Sequence, residues 1–204
     1  MNGLKQYALF VPHKEQKFMS ELTDTNIETE TSLLYTREGF EALLASGKVK
    51  VYNIIKITQM WLADEGAEKA ENYSMRIRSE RQCKPVVSRE LEEIYPQAAL
   101  DPNTLATYSH TVKHKLTKST SLEVNTGLSK KDYEIIANHY IDWCSEVNKT
   151  RVYLACEGIA INKAIVTMDI YSDDEMRLEV ELVNAKEGVI IPNYFFTYSS
   201  STKD

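Results

Sequence analysis

Charged residues of one sign recur two positions apart along this chain. Glu28 and Glu30, Arg76 and Arg78, Lys113 and Lys115, Lys149 and Arg151, and Glu179 and Glu181 all keep that spacing. In an extended strand, residues i and i+2 project from the same face, so each pair gathers charge on one side. The alternate positions are largely apolar: Met75 and Ile77, Val112 and Leu116, Val152 and Leu154, and Leu178, Val180 and Leu182. Two single acids, Glu123 and Asp169, sit in further segments of the same kind. A solvated outer face would account for any one pair. It does not account for the set, because basic pairs fall on three segments and acidic pairs on two, and like charges at neighbouring positions repel. A cavity that holds a polyanion and divalent cations uses both kinds of pair. Arginine grips phosphate oxygens through parallel N–H bonds and lysine acts as a point charge. Grouped carboxylates are the hard oxygen donors that Mg²⁺ or Mn²⁺ takes.

The elements that must carry these residues are mostly strands. Alternating, β-rich segments run over Gln6–Val11, Asn26–Tyr35, Lys50–Leu62, Tyr73–Glu80, Thr107–Leu116, Ser121–Asn125, Thr150–Glu157, Ala164–Tyr171 and Glu175–Val183, with Ala160–Asn162 as a short hairpin arm. So many strands at short spacing, without long helices between them, predict an antiparallel sheet or barrel. Helices are fewer. Thr36–Ser46 carries Phe40, Leu43 and Leu44 at helical spacing and stops at Gly47. Ser129–Glu146 predicts a longer helix, with Ser129 as N-cap, Asp132 three residues on, and Tyr133, Ile136, Ala137, Tyr140 and Trp143 as its apolar stripe. Arg81–Leu105, with Pro85, Pro96 and Pro102, reads as a long irregular excursion enclosing a short helix over Ser88–Tyr95.

The 204 residues suffice for one sizeable core and predict a single domain over 1–204. Net charge is −6, which argues against bulk electrostatic binding of nucleic acid or anionic membrane while leaving room for a local basic cavity. No run reaches the length of a membrane span, and no signal-peptide core precedes the first strand. Cys83, Cys144 and Cys156 are odd in number and widely spaced, which fits neither a disulfide framework nor a zinc site, so the expectation is a cytosolic protein with reduced thiols. His13, His110, His114 and His139 lack ligand spacing, and no Gly-rich phosphate loop is present.

At this point the motifs, in order, resemble the CYTH family of triphosphate tunnel metalloenzymes. Ile27-Glu28-Thr29-Glu30 looks like the start of that family's ExExK signature, and Ile57–Leu62 is similar to its second strand. Arg76-Ile77-Arg78 matches its RxR strand, Thr111-Val112-Lys113 its TxK strand, and Asn148-Lys149-Thr150-Arg151 its KxR segment. Asp169 matches an acidic strand position, and Leu178-Glu179-Val180-Glu181 the closing ExE, so the likeness covers about residues 26–183. One departure stands out: the lysine of ExExK falls on Ser32.

The resemblance implies a mainly β fold, a closed antiparallel eight-stranded barrel forming a tunnel, with a few helices outside. It implies a hydrolase of a small-molecule triphosphate (inorganic, nucleoside or thiamine); a homodimer is left open. Arg76, Arg78, Lys113, Lys115, Lys149 and Arg151 would bind phosphate, and Glu28, Glu30, Glu123, Asp169, Glu179 and Glu181 would hold Mg or Mn. Glu28, Glu30, Arg76 and Lys113 would bear most directly on catalysis. Two alternatives stay open: a class IV-like adenylate cyclase, with a ribose hydroxyl as nucleophile, and a module that binds triphosphates or nucleotides without turnover.

Overall fold

The computed structural model describes residues 23–62, 73–84, 94–95, 97–140, 144–183 and 189–200. Eight strands close into an antiparallel barrel: β1 (Thr23–Tyr35), β2 (Val49–Leu62), β3 (Tyr73–Gln82), β4 (Thr107–Lys115), β5 (Thr120–Leu128), β6 (Cys144–Cys156), β7 (Ala164–Ser172) and β8 (Glu175–Leu182). Around the barrel the order is β1-β5-β4-β3-β2-β6-β7-β8, so β1 also neighbours β8. Three helices lie among the described residues: α1 (Arg37–Ala45), α2 (Lys130–His139) and α3 (Asn193–Tyr198).

The chain gathers into two compact units. The first contains Thr58–Glu80 and Ala106–Val147. Its apolar cluster joins Leu62, Met75, Ile77, Val112 and Val124 of the strands to Ile136 and Tyr140 of the α2 region. The second contains Glu28–Ile57, Arg81–Leu105 and the chain from Asn148. There Leu33, Tyr35, Val49, Val51, Val152, Leu154, Val166, Met168, Leu178 and Val180 pack with Phe40 and Leu43 of α1 and Phe195 of α3. The interior of an eight-stranded barrel admits side chains and no helix. In each unit the face packed against helices is therefore the outer face, and the alternate, charged positions point into the lumen.

Local chemistry explains the helix ends. Thr36 caps α1 by accepting from Gly39 N, and Ser129 caps α2 by accepting from Asp132 N. Gly47 takes φ +73, the left-handed conformation that ends a helix at little cost to glycine. Gly39 has a different reason: a Cβ there would overlap the carbonyl oxygen of Tyr198 beside α3.

Several expectations are corrected. The second helix stops at His139 and is capped by Tyr140, whereas Ser129–Glu146 was expected; Cys144–Glu146 instead begin β6, where Val147, Lys149 and Arg151 follow strand alternation. Residues 141–143, Trp143 included, lie outside the described residues, as do Gln6–Val11 and all of Ser88–Tyr95 except its last two positions. Ile161–Lys163 form a turn, so no hairpin arm exists at Ala160–Asn162. The short helix α3 carried no periodic signal; docking of Phe195 holds it. The described part of the Arg81–Leu105 excursion is anchored on α1. Tyr95 is buried, donates to Glu41 at 3.0 Å and lies 4.3 Å beneath the Arg37 guanidinium.

Candidate functional site

Each unit carries a polar cluster on its lumen face. In the second unit the centre is Asp169 of β7, fully buried because Met168 and Ile170 on either side anchor the strand in the core. Lys149 Nζ lies 2.6 Å from Asp169 Oδ2, while Arg151 Nε donates to Oδ1 at 2.7 Å and Nη2 to Oδ2 at 2.9 Å. Arg151 is the register partner of Asp169 across β6–β7, which makes the two-pronged contact geometrically natural. Burial alone would raise the Asp169 pKa; Arg151 and Lys149 outweigh it and hold the group down to about 2. Lys149 also sits 5.4 Å from the Tyr171 ring centroid, so its side chain is enclosed by Asp169 and Tyr171.

Arg151 Nη2 extends to Glu179 Oε2 at 3.5 Å. Glu179 has its pKa raised, first by burial, then by Asp169; Arg151 pulls the other way, and Glu30 adds to the rise. Glu30 and Glu181 are direct partners across β1–β8, and Ser32 faces Glu179 in the same ladder. By strand alternation Glu28, Glu30, Glu179 and Glu181 occupy one face of this ladder. The second unit is thus locally rich in carboxylate.

The first unit leans the other way. Glu123 of β5, itself buried, stands between two cations: Arg76 Nη2 at 3.9 Å and Lys113 Nζ at 4.0 Å. Its orientation is fixed from the side, since Asn125 Nδ2 donates to Glu123 Oε1 at 2.8 Å and Thr111 Oγ1 donates to Asn125 Oδ1 at 2.6 Å. Arg76 lies 5.5 Å over the Trp61 ring, and its buried Nε donates to no described residue. Arg78 is tied more closely, to Gln59 at 3.0 Å and Glu80 at 3.3 Å. The third member of that basic group, Lys115, ends β4 in an exposed position opposite Ser121.

The sequence reading missed Gln59, Trp61, Asn125 and Tyr171 as members of these clusters. The signal was the same alternation: Gln59 and Trp61 are two apart, Asn125 follows Glu123 by two, and Tyr171 follows Asp169 by two.

A divalent cation finds a mixed reception. Asp169 has both oxygens engaged by cations, and Glu123 stands between two more. Among the described residues no three His, Cys, Asp or Glu side chains converge as a metal site. The all-carboxylate set of Glu28, Glu30, Glu179 and Glu181 does fit hard oxygen-seeking ions in donor type, and the Glu179 pKa is raised by burial first and by Asp169 second.

The sequence matches no protein-family model, and no curated protein matches it. Solved structures do. The PH1819 protein of Pyrococcus horikoshii aligns with TM-score 0.54 at 16% identity, over 77% of this chain and 78% of the other. The PH1012 protein of the same organism gives 0.50 at 12% identity, over 78% and 79%. HpAC1 from Hippeastrum, described as revealing a dominant triphosphatase activity, gives 0.42 at 11% identity, over 78% and 80%. At these identities the likeness is one of fold. The closed eight-stranded antiparallel barrel is consistent with the CYTH family that the motifs resemble.

Proposed function

We propose that this chain binds the triphosphate group of a small molecule and hydrolyses it with Mg²⁺ or Mn²⁺. The observation that carries the reading is Arg76. Its side chain is only 15% exposed, yet it makes no hydrogen bond to a described residue, its Nε is buried without an acceptor, and its nearest carboxylate oxygen is 3.9 Å away. A buried donor left without an acceptor is costly. A phosphate oxygen beside Arg76 and Lys113 supplies the missing acceptor.

The chain's own groups divide the work. Arg76 and Lys113 bind phosphate oxygens, and Asn125, through Glu123, fixes the distance between the two cations. Arg151 shares its charge between Asp169 and Glu179, which leaves it oriented for a further anionic contact. Lys149, enclosed with Asp169, serves to hold Arg151 in place more than to touch phosphate. Glu28, Glu30, Glu179 and Glu181 would hold the metal, which supplies charge neutralisation and Lewis acidity when bound. Hydrolysis then consists of water adding to the terminal phosphorus as the anhydride P–O bond breaks, a reaction governed by positioning and electrostatics.

The test is release of phosphate from tripolyphosphate and nucleoside triphosphates with Mg²⁺ or Mn²⁺, for wild type and Arg76→Ala. Turnover in the wild type and a loss of about tenfold or more in the variant is expected for a charge-assisted contact. A cyclic nucleotide as product would make the chain a cyclase. Tripolyphosphate binding without turnover would make it a binding module, a reading favoured by Ser32 at the family's lysine position. Absence of both binding and turnover overturns the proposal.

A further inference from the structure

Tyr52 in β2 and Tyr153 in β6 form an aromatic pair, with ring centroids 5.9 Å apart and planes inclined by 51°. Neither ring belongs to the apolar cluster of its unit. Val51 beside Tyr52, and Val152 and Leu154 on either side of Tyr153, all point into that cluster, so the tyrosines project from the opposite, lumen face. This is the face of Lys149 and Arg151. Tyr153 is two residues from Arg151 and opposite Thr167, and Thr167 is opposite Glu179. One row across β6, β7, β8 and β1 therefore reads Tyr153, Thr167, Glu179, Ser32. The aromatic pair adjoins the carboxylate and the guanidinium of the second unit's cluster.

Exposure adds a second observation. Tyr52 keeps 50% of its surface open to solvent although its strand neighbours Val51 and Ile54 are buried. A large ring left wet on a lumen face offers a stacking surface, because stacking on an aromatic side chain tolerates any planar ring.

We infer that Tyr52 and Tyr153 form the subsite for a planar aromatic ring attached to the substrate's phosphate chain. The preferred substrate class is then a triphosphate ester bearing such a ring, with inorganic tripolyphosphate a poorer ligand. The inference rests on the triphosphate reading above and adds the identity of the leaving group's class. Arg151 holds the phosphate end of the ester, and the exposed face of Tyr52 receives the ring, with Tyr153 supporting it from beneath.

The experiment is calorimetric titration of the full chain, with Mg²⁺ and without, using three probes: tripolyphosphate, ATP and thiamine triphosphate. The last two distinguish a neutral base from a cationic ring. At least one ester should bind about tenfold more tightly than tripolyphosphate. Tyr52→Ala should erase that margin and leave tripolyphosphate affinity unchanged, while Tyr52→Phe should preserve it. If Tyr52→Ala melts at a lower temperature than the wild type, Tyr52→Leu replaces it as the ringless variant. Equal wild-type affinity for all three probes, or a loss in the ringless variant that is as large for tripolyphosphate, overturns the subsite and leaves the triphosphate reading standing. Failure of all three probes to bind overturns the triphosphate reading itself, and the subsite with it.

Discussion

Ser32 and Glu179 are direct partners across the β1–β8 ladder, on the face that also carries Glu30 and Glu181. The position where the resemblance places a lysine is thus beside a half-buried carboxylate whose pKa burial, Asp169 and Glu30 raise. A lysine there would meet Glu179 at cross-strand distance and still reach the lumen. Ser32→Lys should lower the Glu179 pKa and raise triphosphatase turnover by about 10- to 150-fold, the worth of one charge-assisted phosphate contact. Carboxyl NMR titration and a phosphate-release assay read the two effects. Unchanged turnover together with an unchanged Glu179 titration would remove Ser32 from the site.

Asp169→Asn should damage the fold more than any other single change in these clusters. It removes the carboxylate shared by Lys149 and Arg151, both enclosed, and leaves Arg151 with Glu179 at 3.5 Å. Removing one partner of a buried ion pair costs about 3–5 kcal/mol, which urea unfolding at neutral pH would show. The sign of the pH effect follows from the carboxyl's depressed folded value of about 2 against an unfolded 3.8. Wild-type stability from this group is complete above about 4 and is lost as pH falls toward 2; in the variant that acid limb should be shallower.

Glu179→Gln is expected to do the opposite. Because burial and neighbouring acids raise the Glu179 pKa, its ionised form is less at home in the folded chain than in the unfolded one. Its contribution therefore falls as pH rises from the ordinary carboxyl range through the folded value. At pH 7 the glutamine variant should melt at a higher temperature than wild type, with the difference fading toward pH 4. Calorimetry should at the same time show weaker Mg²⁺ binding. A variant that is less stable at pH 7 would show that the fold favours the ionised carboxylate, against the raised pKa.

His110 provides an acid-sensitive element in the first unit. It lies opposite Ile77 and Thr126, both fully buried, and burial lowers its pKa to about 4. Stability is complete above the unfolded value of about 6.5 and declines as pH falls from there to 4, by an amount on the order of a few kcal/mol. Chemical unfolding at stepped pH should show this decline in wild type and its absence in His110→Gln.

Much of the barrel was legible because alternation was strong. The expected strands over Lys50–Leu62, Tyr73–Glu80, Thr107–Leu116 and Ala164–Tyr171 differ from β2, β3, β4 and β7 by at most two residues at either end. The signs did not stay apart as the strand pairs had read: Arg76 and Lys113 stand beside Glu123, and Lys149 and Arg151 sit with Asp169 and Glu179. Partner choice was not legible. Nothing in the sequence of Asp169 says that Lys149 and Arg151 will occupy both its oxygens, because that depends on the β6–β7 register. The slip in β2 was equally hidden: Ile54 and Ile55 are consecutive and both buried, with Gln82 bonding to Asn53 and to the Ile54 carbonyl. That slip changes which later β2 residues face the lumen, and so brings Gln59 and Trp61 there. The end of α2 was overrun because Tyr140 and Trp143 continue a helical stripe in sequence, while strand pairing from Cys144 onward prevails over it.

The barrel's closure also has a consequence in time. β1, the first described strand, finds its neighbours only in β5 and β8. On a ribosome, Lys149 and Arg151 emerge before Asp169 and Glu179, and Glu30 waits through about 150 residues of synthesis for Glu181. Such distant pairing is slow, since long loops must close before any contact rewards them. The nascent chain therefore passes through a stage in which Lys149 and Arg151 of β6 have been made and Asp169 and Glu179, their partners in the finished barrel, have not. Premature termination before β7 leaves Lys149 and Arg151 without the two carboxylates that hold them in the barrel, and leaves β1 without its β8 edge.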